Sequence, residues 1–409
     1  MSMLSAVCIL TVSACSDAPV SSDGDDETRR PSPSADAGGA KPRADAGSQD
    51  KDPPVGQVAR DAGARDAGAR GRDAETGKTD EADVEATVTP SDAGGGVTEP
   101  APSAGTCGTG KRNDRPFGCD FAFGTNDPDG ALGDFGKLPF LSKWVGWELE
   151  KDGTFARCEG CTWLTSRLAG QSATPVYYAY FIGYLGSANG FADQNVNPNG
   201  PNLATDGAKL LRAKRAEVVA MYASYAEQTA RVWPDRPLVW LLEGDFVQYT
   251  YKEQKSPLSM AELGQLARDI TCAIKGNMPN AVVAINHSTW LSDEVTDSFW
   301  EAMSEADYDL VWTTGVANNN GFFEAKAGPS EYNAKTANYA YVAQKTGRKI
   351  LVDTSFGLSE MSDTWVSAPA ATLDQRISEG VLAANVTKPA AGYVATSAAL
   401  TEQLQPVCK

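Results

Sequence analysis

Eight short apolar segments that alternate with helical patterns constrain what this chain can fold into. All of them lie after residue 105, and most are rich in β-branched and aromatic residues. The segments are 120–126, 144–148, 175–183, 237–245, 281–286, 309–314, 349–353 and 391–396. Several are hydrophobic throughout, as strands buried on both faces of a parallel sheet are. With right-handed crossovers the eight segments predict a closed (β/α)8 barrel of the TIM type, and an open doubly wound sheet is the alternative.

The stretches between these segments carry helical signals. Residues 205–231 place apolar side chains on one stripe, and residues 373–385 predict a further helix. A capping box from Ser259 to Glu262 predicts a helix that ends near Gly276. Residues 330–346 predict another helix, which Gly347 would terminate.

The first quarter of the chain has a different composition. Residues 1–105 contain no Phe, Trp or Tyr, and Asp-Ala-Gly recurs throughout residues 16–105. Such a segment buries too little apolar surface to offset the entropy of ordering it. We therefore predict a disordered Asp/Ala/Gly-rich tether over 16–105, with an end-to-end distance of roughly 50 Å, and one folded domain over 106–409.

The N-terminus resembles an export signal. A short apolar run over residues 3–14 ends at Cys15, and Val12-Ser13-Ala14-Cys15 resembles a bacterial lipobox. The resemblance implies a signal peptide over 1–15 and a lipid attached to Cys15. A plain secretory signal cleaved near Ala14 is the alternative. We predict an extracytoplasmic protein, either secreted or a lipoprotein of the cell surface or outer membrane, whose only membrane contact is the lipid anchor.

Charge and histidine content exclude several partners. The chain has 36 basic and 53 acidic residues and a net charge of −17, so no basic patch is expected to bind nucleic acid. His287 is the single histidine, which excludes zinc sites built on two or three imidazoles. We predict a monomer without metal or cofactor.

Six cysteines in the folded part indicate an oxidising compartment. Our preferred pairs are Cys107–Cys119, Cys158–Cys161 and Cys272–Cys408, among 15 possible pairings. A redox or metal-binding role for Cys158-x-x-Cys161 is the alternative to a structural one.

Two acidic clusters follow apolar segments, where barrel enzymes place their reactive groups. Alternation along the strand predicts that Val239, Leu241, Glu243 and Asp245 share the inward face. Asp353 ends another apolar segment and is expected across the mouth from Glu243. Paired carboxyl groups with different pKa values are what glycosidic-bond cleavage requires. The alternatives are ordinary solvated acids at a loop start, or for Asp353 a helix cap or an arginine partner.

These clusters assign catalysis to three residues. Glu243 is the predicted general acid/base, Asp353 the nucleophile or general base, and Asp245 tunes the pKa of Glu243 or takes its place. Flat rings and amides near the mouth suit sugar faces and hydroxyls, and each ring could instead belong to the core. The predicted substrate contacts are Tyr178, Tyr180, Gln248, Tyr249, Asn286, His287, Trp290 and Trp365.

Residues 175–385 resemble a group of secreted bacterial and fungal barrel proteins of the glycoside-hydrolase type, similar to cellulases. The likeness is carried by Tyr177-Tyr-Ala-Tyr180, by Trp240-Leu-Leu-Glu-Gly-Asp-Phe-Val-Gln-Tyr249 and by Val352-Asp-Thr-Ser-Phe-Gly357. The resemblance implies carbohydrate substrates, with β-linked glucans expected. This chain has Gly244 where the group has Pro, and Asn286-His287 where the group tends to have Asp.

Three functional hypotheses follow. The first is a secreted or lipid-anchored glycoside hydrolase that acts on a polysaccharide through two carboxyl groups. The second is a non-catalytic carbohydrate-binding lipoprotein with the same barrel, favoured by the missing fifth-strand Asp. The third is a different hydrolase that works through His287, although the chain has no Gly-x-Ser-x-Gly motif to supply a serine nucleophile.

Overall fold

The fold is a closed barrel of eight parallel strands in sequence order. The computed structural model describes residues 112–126, 133–192, 200–288, 291–315, 338–354, 365–387 and 389–408. The predicted signal peptide 1–15, the tether 16–105 and Cys107 lie outside these ranges. The (β/α)8 prediction is confirmed, because β1 pairs with β8 and leaves no sheet edge.

The strands and helices alternate around the barrel. The strands are β1 (Ala122–Asn126), β2 (Phe140–Val145), β3 (Thr174–Ala179), β4 (Leu238–Leu242), β5 (Ala281–Asn286), β6 (Leu310–Thr314), β7 (Lys349–Asp353) and β8 (Val381–Val386). The helices are α1 (Glu159–Ser166), α2 (Phe181–Ala188), α3 (Leu203–Ala213), α4 (Arg215–Val232), α5 (Phe246–Thr250), α6 (Met260–Asn277), α7 (Asp293–Met303), α8 (Tyr339–Thr346), α9 (Ala370–Ser378) and α10 (Tyr393–Thr401), with a short 3-10 helix at Gly133–Lys137. Within the described ranges, no helix has the length and apolar character needed to cross a bilayer.

Capping signals in the sequence predicted some helix ends correctly. Ser259 and Glu262 form the capping box of α6, with both reciprocal hydrogen bonds present. Gly347 follows α8 with a φ of 62°, the left-handed conformation that terminates helices. Residues 205–231 form two helices instead of one, because Lys214 leaves helical geometry between α3 and α4.

The last predicted strand is wrong. Residues 391–396 lie largely in α10, and the closing strand is Val381–Val386, which we had predicted as the end of a helix. Helix α9 stops at Ser378, and Gly380 follows with a φ of 102°. The apolar run after this turn pairs with β7 on one side and β1 on the other. Sequence periodicity cannot distinguish such a short run from a buried helical segment.

Disulfides tie the ends of the domain together, and the predicted pairing is only partly correct. Cys158–Cys161 is confirmed, whereas Cys408 bonds Cys119 instead of Cys272. The predicted Cys107–Cys119 pair is therefore also wrong. Cys272 is itself disulfide-bonded. Backbone pairing supports the Cys119–Cys408 link, since the Val407 N–H donates to the Cys119 carbonyl.

Removing the Cys119–Cys408 disulfide should destabilise the domain, because this bond closes a loop with a sequence separation of 289. Long closed loops restrict the unfolded chain most, so C119S/C408S should lower the free energy of unfolding by roughly 2–5 kcal/mol in urea titrations. C158S/C161S is the matched control, since that bond spans a separation of only 3. An equal loss in both variants would contradict the loop-closure explanation.

Candidate active site

The register of the strands identifies which side chains face the inside of the barrel. Asp353 of β7 pairs with Thr314 of β6 and Asn385 of β8, and Tyr178 of β3 pairs with Trp144 of β2. Paired residues on parallel strands point to the same face. Because these positions end their strands, they lie at the C-terminal face, where barrel enzymes carry their active sites.

Asp353 is held by neutral hydrogen-bond donors. Its side chain is 3% exposed. The Tyr178 hydroxyl donates to Oδ2, and Asn385 Nδ2 donates to the same oxygen at 3.1 Å. Burial and the neighbouring carboxyl group of Asp353 raise the pKa of Tyr178 well above its usual value, so this tyrosine stays a donor. The donors from β3 and β8 fix the position of the Asp353 carboxyl group.

Asp245 follows β4 and contacts a second tyrosine, Tyr180, which lies directly after β3. The Tyr180 hydroxyl donates to Asp245 Oδ2 at 3.0 Å, and the Tyr249 hydroxyl lies 3.5 Å from the same oxygen. The two hydroxyls also contact each other. Tyr180 lies just beyond the end of β3, and Trp144 contacts both Tyr178 and Tyr180, so the two tyrosine rings lie on the same side of the chain. Two aspartates thus each bond one of these two tyrosines.

Trp144 lies against both tyrosines. Its ring stacks on Tyr178 with centroids 4.9 Å apart and meets Tyr180 edge-on at 5.6 Å. Trp312 packs against the other side of Tyr178 at 5.6 Å and donates its Nε1 hydrogen to the Leu242 carbonyl. Tyr178 is fully enclosed, whereas Trp144 and Tyr180 are half-buried. The carboxyl groups therefore lie beside an aromatic wall that reaches the mouth.

The side chain of Glu243 does not lie beside this aromatic wall. Alternation along the strand had placed it on the inward face of the barrel, and that prediction is wrong. Its Oε1 accepts a hydrogen bond from the Ile182 N–H at 2.8 Å and another from the Tyr222 hydroxyl at 2.5 Å. Ile182 lies in the first turn of α2 and Tyr222 on α4, so the carboxyl group sits between the sheet and the helices. Glu243 has a φ of 29°, which breaks the extended backbone on which alternation depends.

The environment of Glu243 favours its neutral form. Burial raises the pKa of Glu243 to about 8, opposed by its hydrogen bonds with Ile182 and Tyr222 and reinforced by the nearby charge of Asp245. Its Oε2 has no hydrogen-bond partner among the described residues. Glu243 thus caps the start of α2, directly after Tyr180, and influences Asp245 electrostatically.

Two of the predicted substrate contacts, Asn286 and Gln248, have a side-chain oxygen without a hydrogen-bond partner among the described residues. Asn286 ends β5 and pairs with Trp312, so it faces inward, and it is 3% exposed. Within the described part of the chain, neither Asn286 Oδ1 nor Gln248 Oε1 has a hydrogen-bond partner, although both atoms are buried. An unpaired buried acceptor is costly unless a ligand supplies a donor.

Two other predicted contacts belong to the core. His287 points to the opposite face from Asn286 and stacks on Trp300 of α7 at 5.7 Å, which removes it from the inside of the barrel. Trp365 is fully buried, stacks on Phe121 and donates to the Gly315 carbonyl, so it is no exposed platform. Trp290 lies outside the described residues.

Sequence reasoning missed Trp144, Ser142 and Asn385. The sequence analysis places Trp144 in a strand but does not assign it to a face of the sheet. It places Asn385 in a predicted helix. Ser142 Oγ lies 3.0 Å from Asn385 Oδ1 and also contacts Asn126. The available signal was Asn385 itself, the single polar residue in the apolar run of β8. Across the described ranges, no group of three or more His, Cys, Asp or Glu side chains is arranged to hold a metal ion.

The architectural class of this protein is the closed (β/α)8 barrel with polar side chains at its C-terminal face. Solved structures similar to this chain include glycoside hydrolases of families 5 and 26. No protein-family model and no curated protein sequence matches the chain.

Three of the similar structures illustrate the likeness. Glycoside hydrolase GH26C from Muricauda sp. MAR_2010_75 is 12% identical, with 71% of this chain and 87% of that chain covered and a TM-score of 0.49. A GH26 β-mannanase from Bacteroides ovatus is 10% identical, covering 71% and 91%, at a TM-score of 0.45. A GH5-4 broad specificity endoglucanase from an uncultured bacterium is 11% identical, covering 70% and 92%, at 0.41. At these identities the likeness is one of fold.

Proposed function

We propose that this protein is a glycoside hydrolase that cleaves a polysaccharide at the mouth of the barrel. The observation that carries the proposal is the pair of aspartates, Asp245 and Asp353, each hydrogen-bonded to a tyrosine at the end of β3: Asp353 to Tyr178, and Asp245 to Tyr180, which directly follows the strand. Trp144 packs against both tyrosines and offers a ring for a sugar face. The sequence resemblance of the Trp240–Tyr249 block favours a β-linked glucan as the substrate.

The two carboxyl groups have distinct environments that fit distinct roles. Asp353 receives hydrogen bonds from Tyr178 and Asn385, which hold a carboxylate in position to activate water or attack the anomeric carbon. Asp245 accepts a hydrogen bond from Tyr180 at the mouth, where its carboxyl group can reach the glycosidic oxygen, and we assign it the role of general acid. In its protonated form Asp245 gives a proton to the glycosidic oxygen as the bond from that oxygen to the anomeric carbon breaks. Glu243 then acts by positioning α2 and not by transferring the proton.

A carbohydrate-binding protein without turnover is the second candidate. It is favoured by Asn286, which faces inward at the end of β5 where the resembling group tends to have Asp. An amide at this position binds hydroxyl groups but cannot act as an acid or a base. The candidate keeps the aromatic wall and predicts binding without bond cleavage.

Incubation of the full chain with a panel of soluble β-glucans and β-mannans distinguishes the two candidates. We expect new reducing ends to appear, together with retardation of the protein in gels that contain the same polysaccharide. Retardation without reducing ends would establish the binding protein instead. If neither is observed on any polysaccharide of the panel, the proposed function is wrong.

We further propose that the protein acts outside the cytoplasm, anchored through a lipid on Cys15 or secreted. This proposal rests on the lipobox-like Val12–Cys15 sequence and on the cysteine content of the domain. Bonds such as Cys119–Cys408 are typical of proteins that fold in an oxidising compartment. Polysaccharides too large to enter a cell fit this location.

A further inference from the structure

Trp147 is a large aromatic side chain that the proposed chemistry does not use. It lies two residues beyond the end of β2, in the loop at the C-terminal face of the barrel. Its side chain is 47% exposed, and in the described part of the chain Val232 is the only other large hydrophobic residue that is exposed. Val232 ends α4, next to the start of β4, and so lies at the opposite face.

We propose that Trp147 forms an outer subsite, on which a sugar ring of the polysaccharide stacks beyond the linkage that is cleaved. This inference rests on the proposed function and adds that the site selects long sugar chains. The subsite requires a chain of several sugars, so the protein should prefer a polymer to a short oligosaccharide.

A row of aromatic rings leads from the inside of the barrel toward this loop. Trp144 stacks on the enclosed Tyr178, Tyr180 meets Trp144 edge-on, and Tyr184 meets Tyr180 edge-on at 5.5 Å. Exposure rises along the row, since Tyr178 is 2% exposed and Trp144, Tyr180 and Tyr184 are half-buried. Trp147, at the rim, is more exposed than any ring of the row.

Gly146 links this row to Trp147. It has a φ of 110°, and a Cβ at this position would lie 2.4 Å from the Phe181 ring and 3.2 Å from the Tyr184 ring. The glycine therefore lets the backbone turn closely over these rings. This turn directs the chain out of β2 and leaves the next side chain, Trp147, at the surface.

The loop that carries Trp147 is firmly supported. Glu148 accepts hydrogen bonds from the Tyr225 hydroxyl at 2.9 Å and the Glu159 N–H at 3.0 Å. Leu149 and Phe155 form an antiparallel bridge. The Cys158–Cys161 disulfide then fixes the start of α1. A platform on a rigid support loses little conformational entropy when a ligand binds.

Arg157 orients the indole without burying it. Its guanidinium lies 5.2 Å from the centre of the Trp147 ring and also pairs with Glu159. The cation covers one region of the ring, and the exposed remainder is flat and apolar, which suits the C–H face of a pyranose. Trp144 and Trp147 are three residues apart, so their Cα atoms are at most about 11 Å from each other, and one polymer of several sugars can reach both side chains.

The test compares W147A with wild type on a soluble polysaccharide and on a short chromogenic oligosaccharide of the same sugar. We expect W147A to raise KM for the polymer about tenfold, as the loss of one stacking contact implies, with kcat and the oligosaccharide kinetics unchanged. W147F, which keeps a flat ring, should recover much of the polymer affinity. V232A is the matched control, and its KM should equal that of wild type.

The outcomes separate this inference from the proposed function. An unchanged polymer KM in W147A, while wild type cleaves the polymer, overturns the subsite alone. Equal losses on the polymer and the oligosaccharide also overturn it, since they indicate a general disturbance of the mouth. If wild type neither binds nor cleaves a polysaccharide, the proposed function and the subsite are both wrong.

Discussion

Replacing either aspartate of the mouth by asparagine should reduce turnover by roughly 10²–10⁴-fold, the usual contribution of a positioned acid or base. D353N retains an oxygen that can accept from Tyr178 but cannot activate water or attack carbon. D245N cannot supply a proton to the leaving oxygen. Because both amides are nearly the same size as the acids, the fold should be retained. Reducing-end release measures the effect, and circular dichroism checks the fold.

D235N provides the matched control for these variants. Asp235 is exposed and precedes β4, so it lies at the opposite end of the same strand from Asp245. Its replacement removes the same charge and should leave kcat unchanged. E243Q should also retain most of the turnover, because the amide oxygen still accepts from Ile182. Full activity in D353N or D245N would exclude that residue from the reaction, and an inactive E243Q would return the acid role to Glu243.

Glu243 should make the stability of the domain depend on pH. Its pKa is raised to about 8 in the folded protein, chiefly by burial, from 4.5 in the unfolded chain. Between these values the unfolded chain loses a proton that the folded chain keeps. The free energy of unfolding therefore falls as the pH rises through this window, by up to about 1.4 kcal/mol per pH unit from this group. E243Q should remove this contribution and be more stable than wild type at pH 8.

Urea titrations between pH 5 and pH 9 measure this dependence. D235N changes the net charge by the same amount at an exposed position, so it should keep the slope of wild type. E243A leaves the Ile182 N–H and the Tyr222 hydroxyl without their acceptor and should lose roughly 2–5 kcal/mol at pH 5. If E243Q keeps the slope of wild type, Glu243 is not the group that titrates.

The sequence predicted the barrel because seven of its strands are at least partly marked by apolar runs. It failed at β8, since Val381–Val386 is short and lies directly after α9. Only pairing with both β7 and β1 identifies this run as a strand. The prediction of the disulfide pairs failed for a related reason. Cys119 and Cys408 come into contact only when the fold brings the two ends of the domain together.

For the site, the sequence identified Asp245 and Asp353 and the tyrosines that bond them. Alternation is a local rule that holds only while the backbone stays extended. The same rule failed at Glu243, whose left-handed backbone turns its carboxyl group toward α2. Trp365 was predicted to be exposed from its polar neighbours in sequence, but contacts with Phe121 and Gly315, distant in the chain, bury it.

The sequence by itself determined the alternation of strands and helices as far as β7, and the acids that follow β4 and end β7, because these depend on periodicity within a few residues. Only the tertiary structure decided which acid faces the inside of the barrel, which rings are buried and which cysteines pair. Those outcomes depend on contacts between residues far apart in the chain, and on the left-handed backbone angle of Glu243, whose side chain bonds α2.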